Sequence, residues 1–560
     1  MRLDYLRVAG LALLFFVPFL GGVHLFDWDE INFAECAREM LITGDFTRPQ
    51  IDFEPYWEMP PFFLWLQALS MRIFGVSEFA ARFPNAIGGV LTLMLVYHLG
   101  RRLHDRVFGW LWVLAWLGSF LPHLYFRSGI SDPWFNLLVF GGLYGFIEFR
   151  WLFFTRFEGR NFWQRYRYLL LGGWLIGLAV LTKGPLAFLL VMLTLVLYWA
   201  RYRFHNKVFF KHLLLFSVAA FSVPLLWFGV ETYWHGPAFV QQFLAHQLRL
   251  LSAPGAGYSG FFGFQALALL LGCFPASLFA LPNLWGDRQS EDEVLESDTL
   301  ASCKRSDMST WMQLLFWVVL VLFSIFQTKI VYYSSLAYFP LTYLGSLTLW
   351  RAIRWDVKPR IVGILLPVVG FLLGLLEMLL PMAGWYSENL KPFFAGNPFL
   401  QAKLDMKIEW YWWQGLPGLL LIVAIVAGWL FWRKSQAWWA AQTVYAGGTV
   451  FVAFTLLFCI RNFEQYIQNS NIEFYESKAG ENCSINPVGF KSYAHLFYAQ
   501  KQPFSANYSP DGVPGLPHGQ LEKKMYFVAR APGAKALQAL PGCRELFRKD
   551  GIIYFEKTNK

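Results

Sequence analysis

Long apolar runs separated by short polar connections recur over the first 460 residues of the chain. About 13 of these runs are near or above the length that a helix needs to cross a bilayer, some only with tilt. The runs are 8–26, 85–100, 110–125, 134–149, 168–181, 186–200, 213–230, 261–281, 311–326, 330–350, 361–382, 416–432 and 440–460. This pattern predicts an all-α polytopic membrane domain over residues 1–460, with the first run retained as a span.

Residues 27–84 are too polar and too broken to span, so they are predicted to form one large loop. Near the start of this loop, apolar residues recur at helical spacing, at Ile31, Ala34, Ala37 and Leu41. Gly44 is a plausible helix end, and Asp29 lies close to the helix start. We expect an amphipathic helix on the membrane surface, and a second interfacial helix that begins at Pro60 and Pro61.

Charge sets the topology. The chain is 56% hydrophobic and only 15% charged, and its formal net charge of +10 comes from Lys and Arg clustered in short loops between the spans. That distribution follows the positive-inside rule and argues against nucleic-acid binding. It predicts a multi-pass protein of the cytoplasmic (inner) membrane, with the N-terminus inside and the loop 27–84 outside.

From residue 461 the composition becomes that of a soluble domain. Residues 525–531 and 551–557 have the pattern of strands, and residues 535–547 between them look helical. We therefore expect a small α/β domain at 461–560 on the outer (periplasmic) side. Cys483 and Cys543 either form a disulfide there, which that compartment permits, or remain two unpaired thiols.

The predicted topology places many polar side chains on the outer face: Asp29, Glu30, Glu35, Tyr56, Glu58, Asp132, Lys183, His246, Arg249, Lys329 and Tyr333. Asp132 is informative because it occupies a very short turn between two spans, where a carboxylate usually has a partner or a function. Asp29 has two interpretations at this point. It either caps its helix by accepting backbone N–H bonds or takes part in chemistry.

Six segments occur in the same order as the motifs of a known family, namely DEINFAECAREMLITGDF, YWEMPP, ISDPWFNLL, GLAVLTKGP, FLAHQLRL and TKIVYY. Together they resemble ArnT-like glycosyltransferases, which are grouped with the dolichyl-phosphate-mannose-protein mannosyltransferases as membrane enzymes of GT-C type. The resemblance implies an inverting transferase that uses a polyprenyl-phosphate-linked sugar donor. Its acceptor would be a glycolipid, a polysaccharide or a protein. The chain also shows no nucleotide-binding Gly-rich loop, and an outward-facing transferase needs a donor carried across by its lipid tail.

The resemblance assigns roles to individual residues. Asp29 matches the first-loop catalytic Asp, Glu30 its acidic neighbour, and Asp132 the second acidic position. Positions near the donor phosphate or the cavity wall are matched by Lys183, Arg249, Lys329, Tyr333 and Tyr56. Lys183 has the alternative of snorkelling from a helix end. Glu58 and His246 match positions that hold a zinc ion in the aminoarabinose enzymes, although two ligands make a weak metal site and a hydrogen-bonded His is the alternative.

Two departures from the aminoarabinose pattern point to a different sugar or acceptor. That pattern has Arg-Tyr where this chain has Asn32-Phe33, and Glu-Lys where it has Glu58-Met59. A transporter or flippase for a lipid-linked sugar is the main alternative function. Transporters usually bind near the bilayer midplane in repeated halves, whereas the acids here lie at span ends and no repeat is visible. A purely structural scaffold would not need so many acids and bases on one side.

Overall fold

The computed structural model describes residues 2–153, 161–202, 210–252, 260–286, 300–394, 396, 398–503 and 524–557. The helices of the first part are α1 (Arg2–Phe16), α2 (Asp29–Thr43), α3 (Phe62–Phe74), α4 (Glu78–Leu103), α5 (Arg106–Leu117), α6 (Phe120–Tyr125), α7 (Asp132–Phe153), α8 (Phe162–Lys183), α9 (Leu186–Arg201), α10 (Phe210–His235), α11 (Ala238–Ser252), α12 (Phe264–Gly272) and α13 (Ala276–Ala280).

The remaining helices are α14 (Leu300–Ile325), α15 (Tyr338–Trp355), α16 (Arg360–Trp385), α17 (Ser387–Leu390), α18 (Pro398–Leu404), α19 (Leu416–Arg433), α20 (Ala437–Ile467), α21 (Asn469–Glu476), α22 (Ala494–Tyr498) and α23 (Ala531–Gln538). Four 3₁₀ segments cover Leu281–Asn283, Val331–Ala337, Lys391–Phe394 and Trp412–Gly415. The strands are β1 (Gln50–Ile51), β2 (Glu54–Pro55), β3 (Cys483–Val488), β4 (Lys524–Arg530), β5 (Cys543–Lys549) and β6 (Ile552–Lys557).

The expected count of about 13 spans is not confirmed. Within the described residues, six helices are long and apolar enough to cross a membrane: α4, α10, α14, α16, α19 and α20. A seventh span arises if the bent pair of α12 with Ala276–Asn283, which meet at 109°, counts as one. Several predicted runs are broken helices, since α1 ends at Phe16 and the run 110–125 is divided between α5 and α6. Hydropathy alone does not detect such breaks.

The helix predicted at the start of the loop 27–84 is confirmed as α2. Gly44 ends it in the left-handed conformation with φ 74°, and its N–H donates to the Met40 carbonyl. Residues 30–40 of α2 are all buried within the protein. Helix α22 of the C-terminal region packs against α2, and Leu496 from α22 is fully buried in the same apolar cluster as Phe33. The apolar stripe and the opposite face of α2 are therefore both covered by protein.

The C-terminal region contains a four-stranded sheet in the order β3-β4-β6-β5, with β3 parallel to β4 and the other pairs antiparallel. The strands predicted at 525–531 and 551–557 correspond to β4 and β6. The predicted helix over 535–547 is only partly right, because α23 ends at Gln538 and β5 begins at Cys543 after Pro541 and Gly542. That dipeptide favours a turn over continued helix.

Cys483 and Cys543 are free thiols, so the unpaired alternative is correct. Cys483 begins β3 and Cys543 begins β5, which lie at opposite edges of the sheet. Two strands separate these edges, which corresponds to about 14 Å at the usual interstrand spacing. A disulfide needs Cα atoms within about 7 Å, so the sheet order excludes the pairing.

Candidate functional site

Asp29 occupies the first turn of α2, directly after Trp28, whose φ of 77° turns the chain sharply into the helix. No side chain caps this helix. Instead, Asp29 Oδ2 accepts a hydrogen bond of 2.5 Å from the hydroxyl of Tyr332. The carboxylate is therefore directed toward the Val331–Ala337 segment rather than toward its own backbone. This arrangement argues against the capping interpretation.

Asp132 and Lys183 form an ion pair where two adjacent helices meet. Asp132 begins α7, and Lys183 ends α8, which packs along α7. Lys183 Nζ lies 2.6 Å from Asp132 Oδ1. Asp132 is only 3% exposed, and within the part of the chain that the structure describes its second oxygen, Oδ2, is left without a close hydrogen-bond donor. Because buried carboxylate oxygens are normally satisfied, Oδ2 is suited to accept a bond from a bound molecule.

Two tyrosines connect Asp29 with this ion pair. Lys183 Nζ lies 5.0 Å from the ring centroid of Tyr332 and 5.5 Å from that of Tyr333. The Asp29 carboxylate also interacts electrostatically with Asp132. We call these five residues the Asp29 cluster: Asp29, Asp132, Lys183, Tyr332 and Tyr333. Two acids, one cation and two aromatic rings in one place are the groups needed to bind a polar headgroup and move a proton.

Glu30 has a different environment from Asp29. Its oxygens accept hydrogen bonds from Arg82 at 2.9 and 3.1 Å, from the Phe26 N–H at 2.8 Å, and from the Gly129 N–H. Burial raises the pKa of Glu30, but the Arg82 guanidinium and the two amides hold that pKa below its usual range. Arg82 also donates to three backbone carbonyls of the chain between α1 and α2. With its oxygens engaged in this way, Glu30 is better suited to positioning than to catalysis.

The turn that presents Asp132 is held from several sides. Glu30 binds the Gly129 N–H, and Asn85 donates 2.6 Å bonds to the carbonyls of Ser128 and Ile130. Gln67 donates to the carbonyls of Ala81 and Gly129. Since Glu30 follows Asp29 directly, one side chain fixes the start of α2 against the turn before α7. The positions of Asp29 and Asp132 are thereby fixed relative to each other.

Tyr56 and Glu58 form a second polar group beside the cluster. The Tyr56 hydroxyl donates to Glu58 Oε2 at 2.9 Å, and Lys491 Nζ lies 3.9 Å from Glu58 Oε1. Burial and the Glu58 carboxylate raise the pKa of Tyr56 well above its ordinary value, and Asp29 contributes to the same shift. Tyr56 belongs to the same buried apolar cluster as Leu496 of the C-terminal region.

The other predicted residues are placed differently. Lys329 is 8% exposed and donates from Nζ to the carbonyls of Ser324 and Phe326, at 2.7 and 2.6 Å. It thus binds the C-terminal end of α14, as a cation at a helix C-terminus often does. His246 and Arg249 lie one turn apart on α11, with His246 half-buried and Arg249 exposed. No contact described for Lys329 or His246 joins them to the Asp29 cluster.

A metal site is not supported within the described residues. They contain no group of three or more His, Cys, Asp or Glu side chains placed to hold a metal ion. Glu58, one of the two predicted zinc ligands, is engaged by Tyr56 and faces Lys491. A phenol and an ammonium are the neighbours of this carboxylate, and neither is a usual zinc ligand. A zinc site needs three or four ligands.

The sequence reasoning did not select Tyr332, Arg82, Gly129 or Lys491. Tyr332 adjoins Tyr333 in the segment TKIVYY, and it is Tyr332 whose hydroxyl donates to Asp29. Arg82 and Gly129 carry no chemical signal in the sequence and matter only through Glu30. Lys491 is more than 400 residues from Glu58, and only the fold brings the two together.

The chain is similar in sequence and fold to known membrane glycosyltransferases. The family model for dolichyl-phosphate-mannose-protein mannosyltransferase matches residues 58–227. The crystal structure of ArnT from Cupriavidus metallidurans bound to undecaprenyl phosphate superposes with a TM-score of 0.74 at 19% identity, covering 98% of this chain and 97% of that one. The chain has an ArnT-like fold of GT-C type. The resemblance inferred from the six ordered segments is therefore confirmed.

Several curated relatives are named as transferases of undecaprenyl-phosphate-linked aminoarabinose. An undecaprenyl phosphate-alpha-4-amino-4-deoxy-L-arabinose arabinosyl transferase of Edwardsiella ictaluri is 29% identical over 395 residues, which cover 68% of this chain and 66% of that protein. One from Enterobacter sp. is 28% identical over 407 residues, covering 70% and 67%. The matches to the homologues of Photorhabdus laumondii and Proteus mirabilis each span 51% of those proteins. The aligned part of this chain thus spans about half to two thirds of the length of these relatives.

Proposed function

We propose that this protein is an inverting glycosyltransferase that moves a sugar from a polyprenyl-phosphate-linked donor to a glycolipid, polysaccharide or protein acceptor. The observation that carries the proposal is the Asp29 cluster, in which two acids from different helices share one site with Lys183. The similarity to transferases named for undecaprenyl-phosphate-linked aminoarabinose supports the donor class. The ArnT-like fold supports the membrane setting.

Asp29, Asp132 and Lys183 each have a role in this reaction. Asp29 takes the proton of the acceptor hydroxyl, whose oxygen attacks the anomeric carbon from the face opposite the phosphate. The bond between that carbon and the phosphate oxygen breaks, and its electron pair leaves with the polyprenyl phosphate. Where the acceptor is already a phosphate, Asp29 orients it instead. Asp132 Oδ2 accepts a hydroxyl of the sugar or acceptor, and Lys183 balances the charge that gathers on the leaving phosphate.

The sugar and acceptor differ from those of the aminoarabinose enzymes in this proposal. Asn32 and Met59, which stand where the pattern has Arg and Lys, are 6% and 5% exposed, and Met59 belongs to a buried apolar cluster. Neither side chain can contact a phosphate as a cation would. The absence of the two cations of the aminoarabinose pattern is consistent with a different lipid-linked sugar.

A reconstituted assay tests the transfer. Purified protein in vesicles is given synthetic polyprenyl-phosphate sugars and a membrane lipid extract as acceptor, and released polyprenyl phosphate and labelled product are measured. We expect sugar-dependent release of polyprenyl phosphate. Use of a nucleotide sugar with no lipid-linked sugar present would refute the donor class. Movement of the lipid-linked sugar between leaflets without release of polyprenyl phosphate would favour the flippase alternative.

We also propose that the cluster and the C-terminal region face the outer side of the cytoplasmic membrane, as the Lys and Arg distribution predicts. Cysteines introduced at exposed positions 491 and 434 allow a test in intact cells with an impermeant thiol reagent. The exposed Cys303 is first replaced by Ser. We expect labelling of Lys491→Cys but not of Lys434→Cys, and the reverse result would overturn the orientation.

A further inference from the structure

Lys403 is a buried cation without an ionic partner among the residues that the structure describes. It lies on α18, in the connection between the spanning helices α16 and α19, and it is only 7% exposed. Its ammonium lies 5.3 Å from the centre of the Phe399 ring. Burial lowers the pKa of Lys403, while Asp550 raises that pKa and Arg530 lowers it further. Because a buried lysine is normally paired, Lys403 is suited to bind an anion from outside the chain.

Arg530 brings a second cation to the same ring from the C-terminal region. It ends β4 and directly precedes α23. Its Cζ lies 4.5 Å from the centre of the Phe399 ring and 4.9 Å from that of Phe490. Its Nε is buried and finds no hydrogen-bond acceptor in the described ranges. Burial lowers the pKa of Arg530, and Asp27 opposes that shift without forming an ion pair with it.

The two cations are brought together by the docking of α18 on the C-terminal region. The turn between β5 and β6 lies against α18 so closely that a Cβ at Gly551 would be 3.1 Å from that of Ala402 and 3.4 Å from the Phe399 ring. Electrostatic repulsion between Lys403 and Arg530 opposes this docking. The contacts with the Phe399 ring offset only part of the cost of burying two like charges. An anion that binds both cations would replace the repulsion by a bridge.

The position of α18 favours a lipid headgroup as the source of this anion. Helix α16 ends at Trp385 and the next span begins at Trp412, so the connection between them leaves and re-enters the membrane at one interface. These two tryptophans are 51% and 70% exposed, as is usual for aromatic residues at the level of the headgroups. Helix α18 packs on the segment Lys391–Phe394, whose Phe393 is 83% exposed. Phosphate is the anionic group of phospholipid headgroups, and Lys and Arg are its common partners in proteins.

We propose that Lys403 and Arg530 together bind a phosphate-bearing anion, supplied by the headgroup of an anionic phospholipid, where α18 meets the C-terminal region. The ammonium of Lys403 and the guanidinium of Arg530 donate to different oxygens of the phosphate. The bound lipid thereby joins the connection between two spans to the C-terminal sheet. No residue of the Asp29 cluster takes part, so this inference goes beyond the proposed function and does not depend on it.

Native mass spectrometry of bound lipid tests the site. Full-length protein in detergent is titrated with phosphatidylglycerol, which has a net negative charge, and with phosphatidylcholine, which has none. The proteins compared are wild type, Lys403→Met, Lys403→Arg and the control Lys535→Met, which changes an exposed lysine of α23. Met keeps the apolar stem and removes an unpaired buried charge, so Lys403→Met should fold. Hydrogen bonds to charged groups correspond to about a tenfold change in affinity. We expect Lys403→Met to weaken phosphatidylglycerol binding about tenfold and to leave phosphatidylcholine binding unchanged.

The other variants and a phosphate titration complete the test. A phosphatidylglycerol preference kept by Lys403→Arg and Lys535→Met would support a charge contact at position 403. In a second arm, inorganic phosphate is added and the unfolding temperature is measured, since a ligand of the folded state raises it. A rise in wild type but not in Lys403→Met, without a lipid preference, would support the anion site with free phosphate as its source.

Two results would overturn the inference. One is equal phosphatidylglycerol binding by Lys403→Met and Lys535→Met, together with an effect of inorganic phosphate that does not depend on Lys403. The other is equal weakening of both lipids by Lys403→Met, because apolar packing rather than a charge contact would then have been lost. Neither result bears on sugar transfer, since no sugar donor is present in either arm.

Discussion

Asp29 and Glu30 are neighbours in the chain, yet their carboxylates lie in two different environments. Glu30 is surrounded by a guanidinium and two amide groups, and its charge is compensated inside the protein. Asp29 receives one hydroxyl, from Tyr332, and faces the Asp132–Lys183 pair. A carboxylate with many fixed donors is held in place as an anion, whereas one with few donors can exchange them for a substrate. We therefore assign a structural role to Glu30 and a catalytic role to Asp29.

The largest effect is expected from Asp29→Asn. Asn keeps the size and the oxygen that accepts from Tyr332 but removes the group that takes a proton. A general base contributes on the order of 10²–10⁴-fold to the rate, so turnover should fall by that factor while thermal stability stays near wild type. Transfer assays with the lipid-linked donor measure the loss. Near-normal turnover would place the chemistry on another carboxylate, with Asp132 the next candidate.

Glu30→Gln should act on stability instead. The change leaves the buried Arg82 guanidinium without its counter-charge, and breaking a buried pair costs about 3–5 kcal/mol. We expect a lower unfolding temperature and a poor yield, with the remaining folded protein still active. The matched control is Glu545→Gln, which removes an exposed carboxylate from its Arg548 pair and should leave the unfolding temperature unchanged. A stable but inactive Glu30→Gln protein would reverse the assignment of the two carboxylates.

Lys183→Met examines whether the Asp132 pair has a structural or a chemical purpose. The single change leaves Asp132 buried without its cation, which we expect to cost about 2 kcal/mol of stability because the lysine is partly exposed. Adding Asp132→Asn removes the stranded charge and should restore the unfolding temperature. Turnover of the double variant should stay at least about tenfold below wild type, since the charge that faces the leaving phosphate is gone. A double variant with full activity would make the pair purely structural.

Tyr332→Phe should have the smallest effect in this set. It removes the hydroxyl that orients Asp29 but keeps the ring beside Lys183. The loss of one hydrogen bond, about 1 kcal/mol, corresponds to about a fivefold fall in turnover with little change in KM. Tyr333→Phe is the matched control, because Tyr333 shares the Lys183 contact but not the Asp29 bond. Equal effects of the two changes would remove the positioning role of Tyr332.

Much of the local structure could be predicted from the sequence. Helical spacing and Gly44 predicted α2, and alternating apolar residues predicted β4 and β6. The span count failed because hydropathy averages over breaks such as the one between α5 and α6. The sequence pattern predicts helix for the segment after Pro541, because the strand character of β5 depends on its pairing with β6. Sequence patterns predict secondary structure well where bonds within the segment stabilise it. They fail where the segment depends on residues far away in the chain.

The candidate site shows the same limit. Ordered segments and the expected topology identified Asp29, Asp132, Lys183 and Tyr333, which the fold brings together. The same reasoning placed Lys329 near the donor phosphate or the cavity wall, and the structure shows its ammonium donating to two carbonyls at the end of α14. It also paired Glu58 with His246, while the fold pairs Glu58 with Tyr56 and Lys491. The type of a residue indicates which chemistry its side chain can perform. The groups that contact the side chain in the folded protein determine which of these roles it has.

The sequence by itself determined that Asp29 and Asp132 lie at the ends of apolar runs, because a charge within hydrocarbon is costly. Only the tertiary structure decided which of two adjacent acids is compensated, since Arg82 and Gly129 are 52 and 99 residues from Glu30. It also decided that Met59 is buried and that Lys491 stands beside it, because α22 packs on α2. Contacts between residues so far apart depend on how whole helices pack, which no local pattern records.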